Sequence, residues 1–341
     1  MFEVYARTPE RMDIGAVADH ARRAERLGFD GLLVSEPIHD GLLLACQALA
    51  ATSTLRVSTG VLVAFPRSPM TVAVAAWDLQ RMSKGRFELG LGSQIRQNIE
   101  QRYASIWPSS AVGAMKDYVL ALRAIFKSFQ TDEHLDHRGA FYQLTRLQPL
   151  FNPGPIDHPD IPLILGAVGP KMLGVCGEVA DGLHTHPTNT SPRYLRDVVR
   201  PALAAGACAA GRSPNLVEIT IFGMIATGAN EKEVKMELDR HRSLLAFLYS
   251  TPAYWPSLAF SGRQDLGERL LAATRAKNWA ELPELIDDAL MEELVVSGTY
   301  GEIGALLKAR YSGLAGRLIF PLSEDPSNDE NVRCAVEELK S

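Results

Sequence analysis

The chain has little of several things, and each shortage narrows what it can be. Only four cysteines occur among 341 residues: Cys46, Cys176, Cys208 and Cys334. Their scatter matches neither a zinc site nor a redox couple, so they read as small apolar residues in a reducing compartment. Charge is spread without long blocks of one sign, and the formal net charge is −5. That balance argues against nucleic acid and against an anionic membrane as main partners. The longest apolar run, residues 41–51, falls well short of the roughly 18 residues of a membrane span. The opening MFEVYARTPE lacks a basic stretch followed by an apolar one, so a cytoplasmic protein without a signal peptide is expected. Missing too is a glycine-rich turn after the first predicted strand, the usual mark of a doubly wound nucleotide-binding sheet.

What is present is a large apolar share, 46%, arranged as alternating strands and helices. Strands are expected at 2–7, 29–35, 56–63, 87–91, 162–166, 182–186, 217–227 and 317–321. Runs such as GLLV and VLVAF suit parallel strands buried on both faces. Between strands lie helical segments. In the one at 13–27, Ile14, Val17, Ala18, Ala21, Ala24 and Leu27 share a face, and Gly28 ends it. The alternation breaks at 96–160, where a long helix (111–129), a hairpin around His137-Arg138-Gly139 and a Pro/Gly-rich crossing are expected. This segment reads as an insertion over the carboxyl-end face, because alternation resumes at Pro162. Eight strands make a (β/α)8 TIM barrel the expected α/β fold, one domain over 1–341. The helix at 70–82 is apolar nearly all round and needs burial on more than one side. A homodimer built on the helices after the second and third strands follows.

Ligands in parallel α/β folds sit beyond the carboxyl ends of the strands. The third and fourth strands both end in small residues there, Thr59-Gly60 and Gly90-Leu91-Gly92-Ser93. The fifth runs into Gly166-Ala167-Val168-Gly169-Pro170-Lys171 at a helix start, where unpaired amides and the dipole suit a phosphate. His184 and His186 alternate with Thr185 and point to one side of the sixth strand. They could begin a metal site, but the other histidines fall in predicted helices or in the insertion, and no metal is expected.

Four segments carry a resemblance to a known family: AERLGFDGLLVSE (24–36), STGVLVAFPRSPMTVAVAAWDLQRMSKGRFELGLGSQ (58–94), ILGAVGPKMLGVCGEVADGLHTHP (164–187) and RYSGLAGRLIFP (310–321). The sequence resembles the luciferase-like monooxygenase superfamily, and within it the oxidoreductases that use the deazaflavin coenzyme F-420. The resemblance implies a barrel, usually dimeric, that holds a flavin-type ring at its carboxyl-end mouth. It implies a cofactor site at Glu36, Gly60, Val61, Ser93 and Gln94, with the phosphate at Gly166 to Lys171. It also implies a non-proline cis peptide at Gly60–Val61 behind the ring. An acid and a histidine follow the second strand in relatives; here they are Glu36 and His39, with Pro37 and Ile38 between them. His186 is a further candidate at the mouth. A catalytic acid that often follows the fourth strand is replaced by Ile95 and Arg96, so relatives that oxidise sugar phosphates are poor guides to the substrate. The implied reaction is hydride transfer between F-420 and a small organic molecule. The alternatives are a monooxygenase using reduced FMN and oxygen, a flavin-binding protein without catalysis, and, last, a metal-dependent hydrolase. Trp107, Phe141, Tyr142 and Phe151 in the insertion suggest a ring-fused, apolar substrate.

Overall fold

In the computed structural model, which describes residues 1–341, eight parallel strands close into a barrel wrapped by helices. They are strand one (Glu3–Arg7), two (Gly31–Val34), three (Arg56–Thr59, resuming at Leu62–Val63), four (Phe87–Gly92), five (Leu163–Gly166), six (Gly182–His184), seven (Glu218–Ile221) and eight (Arg317–Ile319). Each pairs with the next, and strand eight returns to strand one with Val4 opposite Leu318 and Tyr5 opposite Ile319. Burial is nearly complete along them, so the apolar runs belong to a sheet covered on both faces. No helix is long and apolar enough to cross a membrane.

Strand three breaks at Gly60–Val61, whose peptide bond is cis. Across the break the Thr59 hydroxyl takes over the sheet pairing. It accepts from the Gly90 N–H at 2.9 Å and donates to the Gly90 carbonyl at 2.7 Å. Gly90 must be glycine, because a Cβ there would stand 1.9 Å from the Thr59 carbonyl oxygen.

The floor of the barrel is polar and fully paired. Arg317 donates to both Glu88 oxygens at 2.8 and 3.1 Å and to Glu3 at 2.9 and 3.0 Å. The Tyr5 hydroxyl donates to Glu88, and the Arg317 guanidinium lies 4.2 Å from the centre of the Tyr5 ring. Buried charges persist where each has such partners.

Two parts differ from the sequence reading. The helix Ala111–Thr131 does not lie over the mouth; it packs on the outer wall against the helices Pro69–Ser83 and Pro170–Val179. Trp77 stacks on Phe126, with ring centres 5.6 Å apart. This helix is therefore a barrel helix, and the hairpin after it is pinned to its outer flank by Asp117, which accepts from the N–H groups of Phe141 and Tyr142. A continuous helix signal inside an interrupted stretch gave no hint of which side it would cover.

The expected strand 217–227 is two strands. Its second half, Met224–Gly228, leaves the barrel and pairs in parallel with Val295–Thr299. Together with the helices Glu231–Tyr249, Gln264–Arg275 and Asp288–Leu294 it encloses a cluster of 14 buried apolar residues separate from the main core. The larger excursion thus lies between strands seven and eight.

Candidate functional site

The carboxyl ends of the strands open into a cleft of about 460 Å³. A hollow of about 520 Å³ at the opposite end, near Glu218 and Gly316, faces the amino ends of the strands, where barrels carry stability rather than chemistry.

One wall of the cleft is made by Gly60, Val61, Gly92, Ser93 and Gln94. Val61 is held in the gap left by two glycines: a Cβ on Gly92 would meet its Cγ2 at 2.3 Å, and one on Gly166 its Cγ1 at 3.1 Å. Gln94 has a left-handed backbone (φ 59°), uncommon for a residue with a side chain. Its amide oxygen accepts from the Ile95 N–H at 3.0 Å and from Asn98 at 3.1 Å, so the side chain is spent on starting the helix Arg96–Gln101.

The adjoining wall is Gly166, Ala167, Val168 and Gly169. Gly169 caps the helix Pro170–Val179 without any side-chain hydrogen bond, and a Cβ there would meet no atom within 4 Å. The helix start is thus bare and open to the cleft, which suits an anion. Pro170 and Lys171 are exposed and do not line the cleft.

Glu36 lines the cleft, but its carboxylate is committed. One oxygen accepts from the Val63 N–H at 2.7 Å, and both meet the Arg67 guanidinium, which also donates to Asp40 at 2.8 Å. Burial pushes the Glu36 carboxyl up, against the pull of Val63 and Arg67. The group ties the 62–67 turn to strand two. His39 is elsewhere. Its ring binds the Met12 carbonyl at 3.1 Å and lines a separate small cavity, because the intervening Pro37 and Ile38 carry it past the mouth.

The two histidines of strand six are both at the cleft, at different depths. His184 is fully buried; Nε2 meets the Ser58 hydroxyl at 3.1 Å and Nδ1 has no partner. Burial lowers its pKa to about 3, with Arg317 adding to the effect. His186 stacks on Tyr254, ring centres 4.2 Å apart and planes within 8°. Its Nδ1 lies 2.8 Å from the Thr188 hydroxyl and 3.4 Å from the Thr188 nitrogen, so that edge of the ring is turned to Thr188. Burial lowers its pKa to about 4, so the ring is neutral at pH 7.

Across the cleft stand Arg7, at the end of strand one, and Phe222, just past strand seven, and Ala253 and Tyr254 line it as well. The sequence reading missed all four. Arg7 carried a legible signal, a cation ending the first strand; Tyr254 comes from a helical excursion with none. Trp107, Phe141, Tyr142 and Phe151 do not line the cleft: Trp107 packs edge-on against Phe65, Tyr142 against Tyr118, and Phe151 is 63% exposed.

Comparison with known proteins places this architecture. The family model described as luciferase-like monooxygenase matches residues 2–317. An uncharacterized protein of Mycobacterium tuberculosis is 39% identical over 306 residues, 90% of this chain and 89% of the relative. An F-420-dependent glucose-6-phosphate dehydrogenase of Nakamurella multipartita is 26% identical over 276 residues, 77% of this chain and 74% of that one. Among solved structures, the coenzyme F-420 dependent tetrahydromethanopterin reductase from Methanopyrus kandleri superposes with a TM-score of 0.80 at 16% identity, covering 99% of this chain and 98% of that one. The chain therefore belongs to the luciferase-like monooxygenase family of oxidoreductases.

Proposed function

We propose that this protein transfers a hydride between coenzyme F-420 and a small organic substrate. The observation that carries the reading is the bare helix start at Gly169 opening onto the same cleft as the Gly60–Val61 wall. A phosphate-bearing flat ring fits that pair of features: the anion at the uncapped amides, the ring against backbone that carries little side chain. Bound there, the deazaflavin supplies the ring carbon that gives or takes the hydride. The protein's share is positioning and electrostatics. Gly60, Val61 and Ser93 support the ring wall, while the Glu36–Arg67 pair holds the Val63 turn beside it. His186, neutral and stacked on Tyr254, offers a ring nitrogen for a hydrogen bond to a bound substrate. His39 takes no part, since it faces another cavity.

The family description favours a second reading, a monooxygenase that uses reduced FMN and oxygen in the same cleft. Titrating the purified protein with F-420 and with FMN separates the two. The reading expects F-420 to bind at least tenfold more tightly, and a clear preference for FMN would replace it with the second. The working form is proposed to be a homodimer, through Leu43 on the helix Gly41–Ala51 and Val74 and Met82 on the helix Pro69–Ser83, which leave apolar surface in solvent.

A further inference from the structure

We propose that the substrate is an organic carboxylate, held by Arg7 on the wall opposite the cofactor. The inference rests on the reading above, in which the ring and its phosphate occupy the wall from Gly60 to Gly169. In barrel order, strand one lies across from strand five and strand seven across from strand three, so Arg7 and Phe222 are left to face whatever meets the ring.

Arg7 is held in place yet unspent. Its carbonyl is bound by the His20 ring at 3.0 Å, and its guanidinium carbon lies 5.5 Å from the centre of the Phe222 ring. Phe222 is itself fixed: its N–H donates to Thr185 Oγ1 at 2.9 Å, and its ring packs on Tyr5, Leu33 and Ile319. The Arg7 side chain makes no ion pair and donates to no protein acceptor. Of the two acids lining the cleft, Glu36 is neutralised by Arg67 and Glu10 stands at the exposed rim without reaching Arg7. A guanidinium laid on an aromatic face keeps its in-plane N–H fork free, and that fork matches a carboxylate. One uncompensated cation matches one negative charge, which favours a carboxylate over a phosphate dianion. Apolar neighbours Phe222, Ala253 and Tyr254 suit a substrate whose remaining body is uncharged.

Benzoate and benzamide, equal in shape and different in charge, are the probes, titrated calorimetrically into the protein without cofactor. Benzoate is expected to bind at least tenfold more tightly than benzamide. Arg7→Met should remove that preference and change F-420 and FMN affinity less than twofold; Arg7→Lys, which keeps charge and folding but loses the fork, should retain part of it. Equal binding of the two probes by the unaltered protein overturns the proposal, whatever the variants do. So does undiminished benzoate preference in folded Arg7→Met, and so does loss of cofactor affinity in Arg7→Lys, which would assign Arg7 to the cofactor. Failure of the unaltered protein to bind F-420 or FMN would overturn the functional reading instead, with the benzoate result standing on its own.

Discussion

His184 makes the fold sensitive to mild acid in a calculable way. In the unfolded chain its imidazole takes a proton near pH 6.5; in the barrel, buried against Ser58, it does so only near pH 3. The unfolded state therefore binds more protons between these values, and stability falls as pH falls through 6.5. From pH 7 to pH 5 the loss from this one residue is about 2 kcal/mol, from the linkage relation with the folded value well below the window. Other groups contribute too, so the measurement is a difference. Urea unfolding at pH 7, 6 and 5 compares the protein with His184→Gln, which keeps a polar group toward Ser58 and has nothing to titrate. The unaltered protein should lose about 2 kcal/mol more than the variant between pH 7 and pH 5. Parallel losses in the two proteins would refute the reasoning, since His184 would then ionise alike folded and unfolded.

Two glycines near the cleft should behave oppositely when substituted. Gly90→Ala puts a methyl group 1.9 Å from the Thr59 carbonyl oxygen and should cost at least about 3 kcal/mol or abolish folding, read by urea denaturation. Gly169→Asp meets open space, so it should fold normally yet lose at least tenfold in cofactor affinity, because it brings negative charge to the proposed phosphate position. The proposed dimer is checked by light scattering at micromolar concentration: the unaltered protein should have twice the chain mass, and Leu43→Glu with Met82→Glu should give the single chain.

The barrel was legible because its signal is local. Alternation of buried runs and amphipathic helices repeats wherever a parallel strand is covered on both faces, and the small residues at Gly60, Gly92 and Gly166 marked the strand ends that line the cleft. The Gly60–Val61 geometry was not legible in that way; only resemblance pointed to it. What the sequence concealed depends on long-range contacts. Whether the helix 111–131 covers the mouth or the wall depends on the contact of its Phe126 and Phe129 with Trp77, distant in sequence. Residues 217–227 look like one strand because both halves are apolar, and only pairing of the second with Val295–Thr299 separates them. His39 and His186 are equally plausible as letters. Two extra residues carry the first past the cleft, and Tyr254, some 70 positions along the chain, holds the second within it.

The closed floor has a consequence for traffic. Tyr5, Glu88 and Arg317 plug the barrel from below with groups that are each other's partners. The cleft lined by Gly60, Arg7, Ala253 and Tyr254 lies at the other end, beyond the carboxyl ends of the strands. With the floor plugged, a ring on the proposed Gly60 wall and a carboxylate at Arg7 would share the carboxyl-end mouth as their way in and out. Two occupants of one mouth constrain each other's order of entry and exit.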